Sequence, residues 1–120
     1  MATEYRRNPR KERRFEHQGL VYLHSGTGKP LRARGRDLGR FGIGIEFSKK
    51  LKTYRLGAEV ELEFAMPNHL RGLRIKVKLR RVYTDDRGYD HCGFAIIDKS
   101  DTVKKRINEI VLFYEKMIRR

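Results

Sequence analysis

The sequence predicts a mainly β protein, a small antiparallel barrel covered by one C-terminal helix. Short apolar stretches separated by glycine-containing turns occupy residues 20–47, and apolar and charged residues alternate over residues 59–64 and again, after a loop, over residues 73–80. Over the last 20 residues the apolar spacing changes to three and four. Period-two alternation is typical of strands and the longer spacing of an amphipathic helix. Several short strands followed by one helix indicate a barrel with a helical lid.

The composition of the chain limits the classes of function that it can have. The chain has 120 residues, room for one domain, and carries 29 Lys plus Arg against 15 Asp plus Glu, a formal charge of +14 that favours an anionic partner. Cys92 is the only cysteine, and the four histidines have no metal-ligand spacing. No nucleophile, acid and base set is visible, so we expect neither an enzyme nor a metal or cofactor protein. Without an apolar run of 18 residues, we also expect no membrane segment and a cytoplasmic location.

Three segments follow from these patterns. Residues 1–14 form a flexible basic arm, because they hold six arginines and lysines and almost nothing apolar to bury. Residues 15–99 form the antiparallel barrel. Residues 100–120 form the helix, with capping oxygens on Ser100, Asp101 and Thr102. We expect its apolar stripe to cover the barrel, with a homodimer or partner contact as the alternative.

Two hairpins are predicted in the second half of the chain. In the first, we expect pairs whose numbers sum to 139, with Phe64 opposite Ile75 and Glu63 opposite Lys76, which matches apolar to apolar and acid to base. The second turns at residues 85–88, where the aspartates are turn formers. His91 and Cys92 then lie in a strand as packing or surface residues.

The first predicted hairpin also changes how the net charge is interpreted. Its basic stripe faces glutamates, so the basic residues left without acidic partners lie in the arm and around the turn after residue 38. Those in the second group are candidates for binding an anion: Arg32, Arg34, Arg36 and Arg40.

Two short motifs can bind a guanine nucleotide. One is the run 10–14, in which Arg10 and Arg14 are four apart; the other is Asp37-Leu38-Gly39-Arg40-Phe41-Gly42. A guanidinium fork matches phosphate oxygens or the O6 and N7 edge of guanine. A carboxylate accepts hydrogen bonds from a guanine edge or from backbone amides, and glycines allow a tight turn and close approach of a ligand.

The order of these motifs resembles the PilZ domain, a bacterial receptor family for cyclic di-GMP. The family pairs RxxxR with [D/N]xSxxG on a six-stranded antiparallel barrel, and the resemblance runs from Arg10 to the terminal helix. Arg10 and Arg14 match the first motif, with Arg6 and Arg10 as a shifted alternative, and Asp37 and Gly42 match the second. The resemblance implies a receptor whose arm is ordered by the ligand and which signals to a downstream effector protein. The implied ligand-binding set is Arg10, Arg13, Arg14, Asp37, Gly39 and Gly42.

One position departs from the family motif, since Gly39 stands where the family has serine. The missing hydroxyl contact is worth about 0.5 to 1.5 kcal/mol, or about 1.5 to 3 kcal/mol to a charged group, which weakens binding about ten- to hundredfold. The alternative function is therefore a PilZ-like protein-interaction module in which Gly39 has weakened or abolished nucleotide binding. General nucleic-acid binding is a third hypothesis, disfavoured because much of the basic charge faces glutamates and no RNA-binding signature is present.

Overall fold

The computed structural model describes residues 14–26, 28–47, 55–66 and 68–118. Six antiparallel strands close into a barrel, in the order β1-β2-β3-β6-β5-β4, and a C-terminal helix follows. This confirms the predicted fold class. The elements are β1 Arg14–His24, β2 Leu31–Gly39, β3 Gly42–Phe47, β4 Glu59–Phe64, β5 Arg74–Thr84, β6 Asp90–Ile96 and α1 Asp101–Ile118. The predicted arm lies outside the described residues except for Arg14, which begins β1.

The barrel interior is filled by the alternating apolar side chains of its strands. In β4, Val60, Leu62 and Phe64 point inward while the glutamates between them face outward. The other strands contribute buried residues to the same cluster, so the described side chains fill the interior of the barrel. Any binding surface is therefore on the outside of the barrel or at its ends.

The hairpin of β4 and β5 has a different register from the predicted one. The paired residues sum to 137, with Leu62 opposite Ile75 and Glu61 opposite Lys76, so the predicted register is wrong by two residues. Period two fixes which face each side chain occupies, and a shift of two residues leaves both faces unchanged. The loop decides between the registers, since a 3-10 turn at Asn68–Leu70 and Gly72 with φ 83° bring Phe64 opposite Leu73.

The second hairpin forms where it was predicted. Asp85 Oδ1 accepts hydrogen bonds from the backbone N–H groups of Arg87 at 2.9 Å and Tyr89 at 3.0 Å. Gly88, with φ 85°, completes the reversal into β6. The carboxylate of Asp85 therefore forms the turn, as the sequence analysis expected.

Helix α1 packs on the barrel with the predicted apolar stripe. The Val103 N–H donates to Ser100 Oγ at 3.3 Å, which caps the first turn. Ile107, Ile110 and Val111 are buried in the same core as the strands, whereas Met117 is half exposed. Among the described residues, no helix is long and apolar enough to cross a membrane.

Candidate functional site

The structure brings the two motifs together at the start of β1 and the end of β2. Arg14 Nη1 donates to Asp37 Oδ1 at 2.7 Å, and the two side chains are 19% and 33% exposed. Gly39 is buried directly beside them as the strand partner of Arg14. Arg10 and Arg13 lie outside the described residues. The described members of the predicted site thus form one cluster that solvent can reach.

A β-bulge turns Asp37 toward solvent. Ala33 and Gly35 point into the barrel, so without interruption residue 37 would do the same. The register against β3 shifts between Gly35 and Asp37, which makes Arg36 the extra residue and reverses the alternation. Leu38 then points inward, and the carboxylate of Asp37 stands outside, within reach of Arg14.

Two glycines of β3 make room for the ion pair. A Cβ on Gly42 would lie 2.0 Å from Arg14 Nη2, and a Cβ on Gly44 would lie 2.9 Å from Asp37 Oδ1. Neither Gly39 nor Gly42 has a positive φ, so what Gly42 provides is space for the guanidinium and not a left-handed turn. Gly44 was missed by the sequence analysis because it lies outside both motifs.

Two of the predicted anion-binding arginines have partners. Arg34 Nη2 donates to Glu46 Oε2 at 2.9 Å, and Arg36 Nη1 donates to Oε1 of the same carboxylate at 2.6 Å. The expectation that these arginines lack acidic partners is therefore wrong, because the β2–β3 pairing places Glu46 opposite Arg34. Glu46 is only 3% exposed; burial opposes its ionisation, but the Arg36 hydrogen bond and the charges of Arg34, Arg36 and His91 outweigh burial and lower its pKa.

His91 is held in a fixed position beside Glu46, with its Nδ1 4.0 Å from Glu46 Oε1. Its Nε2 donates to Asp85 Oδ2 at 2.8 Å, and its ring stacks on Tyr83 with centroids 4.7 Å apart and planes within 5°. The hydrogen bond from His91 is the main cause that holds the pKa of Asp85 well below its ordinary value. The neighbouring Cys92 is buried, and burial raises the pKa of its thiol to about 12. Both residues pack in β6, as predicted.

The Arg14–Asp37 pair opens onto a cleft of about 280 Å³ on the outer face of the barrel. The floor of the cleft crosses four neighbouring strands. Asp37 of β2 pairs with Gly44 of β3, which pairs with Gly93 of β6, which in turn pairs with Arg81 of β5. Further lining residues are Arg36, Arg80, Tyr83, His91 and Ala95. Arg80 was missed because the sequence pattern pairs it with Glu59 of β4. Arg81 was missed because its outward position depends on a register shift between β5 and β6 that the sequence does not reveal.

A larger cavity of about 630 Å³ lies elsewhere on the barrel and contains no motif residue. Two of its basic groups face acids, since Arg74 Nε donates to Glu61 Oε1 at 2.9 Å and His24 Nε2 donates to Glu63 Oε1 at 2.7 Å. Within the described residues, no group of three or more His, Cys, Asp or Glu side chains is placed to hold a metal ion. The smaller cleft is therefore the candidate site.

The family model of the PilZ domain matches residues 5–113. The chain belongs to the PilZ domain family. A search of curated proteins gives no match.

Several solved structures share the fold of this chain at low sequence identity. The PilZ domain of YcgR from Escherichia coli, solved with c-di-GMP, is 18% identical with a TM-score of 0.73 over 93% of this chain and 95% of that one. The inhibitor of motility MotI/DgrA from Bacillus subtilis is 13% identical, with a TM-score of 0.75 over 94% and 54%. MrkH from K. pneumonia, in complex with c-di-GMP, is 17% identical, with a TM-score of 0.74 over 94% and 54%. This chain spans about half the length of MotI/DgrA and MrkH.

Proposed function

We propose that this PilZ protein is a non-enzymatic receptor for cyclic di-GMP. The observation that carries the proposal is the Arg14–Asp37 pair, 2.7 Å apart, at the mouth of a cleft lined with further arginines. Membership of the PilZ family supports it, and so do the ligands in the YcgR and MrkH structures.

Arg14 and Asp37 suit the two sides of a guanine nucleotide. The guanidinium donates to phosphate oxygens or to guanine O6 and N7, whereas the carboxylate accepts from the guanine amino group. Arg14 and Asp37 already neutralise each other, so a ligand that separated them would lose their mutual attraction. The ligand therefore binds best when it forms hydrogen bonds to both groups and leaves the ion pair intact. Gly42 and Gly44 provide the space in which the side chains of this ion pair lie.

The segment before Arg14 supplies further positive charge. Arg10 and Arg13 precede the site directly in the sequence, and ligand binding orders the basic arm against the barrel. Two contacts connect the site to α1, since Phe15 stacks on Tyr114 at 5.8 Å and Arg40 Nε donates to Asn108 Oδ1 at 3.0 Å. The signal then passes to an effector protein that recognises the liganded surface.

The second candidate is a docking module that has lost the nucleotide, and Gly39 is the observation that favours it. A serine at this position would put a hydroxyl next to Arg14 and Asp37, and the natural residue has none. Gly39→Ser separates the candidates. Under the receptor function the wild-type protein binds and the serine variant binds more tightly, whereas under the docking function only the serine variant binds.

Calorimetric titration of cyclic di-GMP at physiological salt tests the receptor function. We expect saturable binding by the wild-type protein, no comparable heat from GTP, and an affinity at least about tenfold lower in Arg14→Ala, which loses a charge-assisted contact. Arg71→Ala is the matched control, because Arg71 is an exposed arginine that does not line the cleft. Equal affinity in the Arg14 and Arg71 variants would refute the assignment of the site.

A further inference from the structure

A second β-bulge shapes the far wall of the cleft, on β5. Ile75, Val77 and Leu79 point into the barrel, and the register against β6 then shifts between Leu79 and Arg81. Arg80 is the extra residue, so the alternation reverses and Arg81 points outward. Tyr83, two residues further on, lies on the same outer face, and both side chains line the cleft.

Arg81 differs from Arg14 and Arg36, the cations of the opposite, near wall of the cleft, in having no acidic partner among the described residues. Arg14 is paired with Asp37 and Arg36 with Glu46. Over the described ranges, in contrast, neither Arg80 nor Arg81 has a carboxylate within 4.0 Å. The predicted β4–β5 register places Arg80 opposite Glu59, but in the observed register Glu59 pairs with Lys78, whose Nζ is 3.8 Å from Glu59 Oε2. The far wall therefore presents positive charge that no described carboxylate neutralises.

Tyr83 provides a planar surface next to this charge. One face of its ring stacks on His91, which Asp85 holds at 2.8 Å, yet the residue remains 56% exposed. An aromatic ring fixed on one face and open on the other is a surface on which a nucleobase can stack. A phosphate bound by Arg81 would lie beside such a base.

The dimensions of the cleft limit what it can hold. The cleft, at about 280 Å³, is near the lower end of the usual range for ligand pockets, about 300 to 1,000 Å³, so a dinucleotide lying across it is only partly enclosed. From Asp37 to Arg81 the row of strand partners crosses three strand spacings, about 14 Å, with only Gly44 and Gly93 between them. A ligand with two bases and two phosphates can thus contact both walls at once.

We propose that Arg81 and Tyr83 form a second set of contacts for cyclic di-GMP, in which Arg81 binds a phosphate and the open face of Tyr83 stacks on one guanine. This inference rests on the proposed receptor function, and it adds two residues outside both motifs. The near wall holds one half of the ligand, and the far wall holds the other.

Calorimetric titration of cyclic di-GMP into paired variants tests the inference. We expect Arg81→Ala and Tyr83→Ala each to raise Kd about tenfold or more. Arg81→Lys recovers part of the loss, because it keeps the charge but not the fork, and Tyr83→Phe stays within about threefold of the wild type, because it keeps the ring. Arg71→Ala serves again as the control for removal of an exposed arginine.

The result distinguishes failure of this inference from failure of the receptor function. Binding that is lost in Arg14→Ala but unchanged in Arg81→Ala and Tyr83→Ala would overturn only the second contact set. No binding by the wild-type protein would overturn both proposals. Thermal unfolding of each variant identifies loss of fold, and if Tyr83→Ala unfolds, Tyr83→Leu replaces it, since leucine fills space without offering a stacking surface. Wild-type affinity in Tyr83→Leu would then refute the stacking contact.

Discussion

Gly42 illustrates how one atom decides the geometry of the site. A Cβ at this position would overlap the Arg14 guanidinium, at 2.0 Å from Nη2 and 2.7 Å from Cζ. The guanidinium is the far end of a flexible side chain and can move away, whereas the Phe94 carbonyl oxygen, 3.2 Å from the same Cβ, belongs to the backbone and yields less. At 3.2 Å the backbone contact requires only a small adjustment, whereas the guanidinium would have to leave its present place. The glycine is therefore needed for the position of Arg14 more than for the fold.

We therefore expect Gly42→Ala to lower cyclic di-GMP affinity about tenfold or more while destabilising the barrel by only about 1 kcal/mol. Calorimetry measures the first quantity and urea unfolding the second. Gly93→Ala is the control for stability, because its Cβ would meet Arg81 Cβ at an ordinary 3.6 Å. Unchanged affinity in Gly42→Ala would show that the position of Arg14 does not matter for binding.

The buried charge of Glu46 contributes to the stability of the barrel. The carboxylate is buried and accepts hydrogen bonds from Arg34 and Arg36, so Glu46→Gln removes the partner of two cations and should cost about 1 to 3 kcal/mol in urea unfolding at neutral pH. Glu59→Gln is the control, because Glu59 is 63% exposed and its Lys78 contact is 3.8 Å long. We expect that change to cost less than about 1 kcal/mol.

The lowered pKa of Glu46 sets the direction of its pH dependence. Its folded pKa lies below the ordinary value of 4.5, so its contribution to stability is complete above 4.5 and is lost as the pH falls through the folded pKa. Acidification below 4.5 should therefore reduce the difference in unfolding free energy between the wild-type protein and Glu46→Gln. A difference that grows on acidification would contradict the assignment.

At the scale of the elements, periodicity predicts the strands and faces but not how they are aligned. Alternation assigned the inward and outward residues correctly in β4 and in β5 as far as Arg80, and the chain order of turns indicated the barrel and its helix. The register was wrong by two because a shift of two changes no face. The bulges at Arg36 and Arg80 were not predictable, since a bulge is defined against a partner strand. The outward position of Asp37 and the far wall of the cleft depend on those bulges.

Paired cysteines test the β4–β5 register. We expect Glu61→Cys with Lys76→Cys to form a disulfide readily under mild oxidation, because these residues are direct strand partners, whereas Glu61→Cys with Lys78→Cys should not. Free-thiol titration and mass spectrometry measure the yield. Cys92 is buried with a raised thiol pKa, so it interferes little. Preferential linkage of residues 61 and 78 would restore the register predicted from sequence.

For the whole molecule, the +14 charge is unevenly neutralised. On the outer face of β4 and β5, Arg74 and Lys78 form ion pairs with glutamates. On β2, Arg36 forms an ion pair with Glu46. The cleft between Arg14 and Arg81, by contrast, concentrates basic groups around a floor of glycines. An anionic ligand bound there gains attraction at the site and relieves repulsion across the barrel.

The location of bound cyclic di-GMP on the barrel is the quantity to measure first, by amide chemical-shift changes during a titration with the nucleotide. We predict changes at Arg14, Asp37, Gly44 and Gly93, with little change along the 630 Å³ cavity at residues such as Glu61. Saturating changes confined to that other cavity, or no change at any amide, would contradict a receptor site built on Arg14 and Asp37.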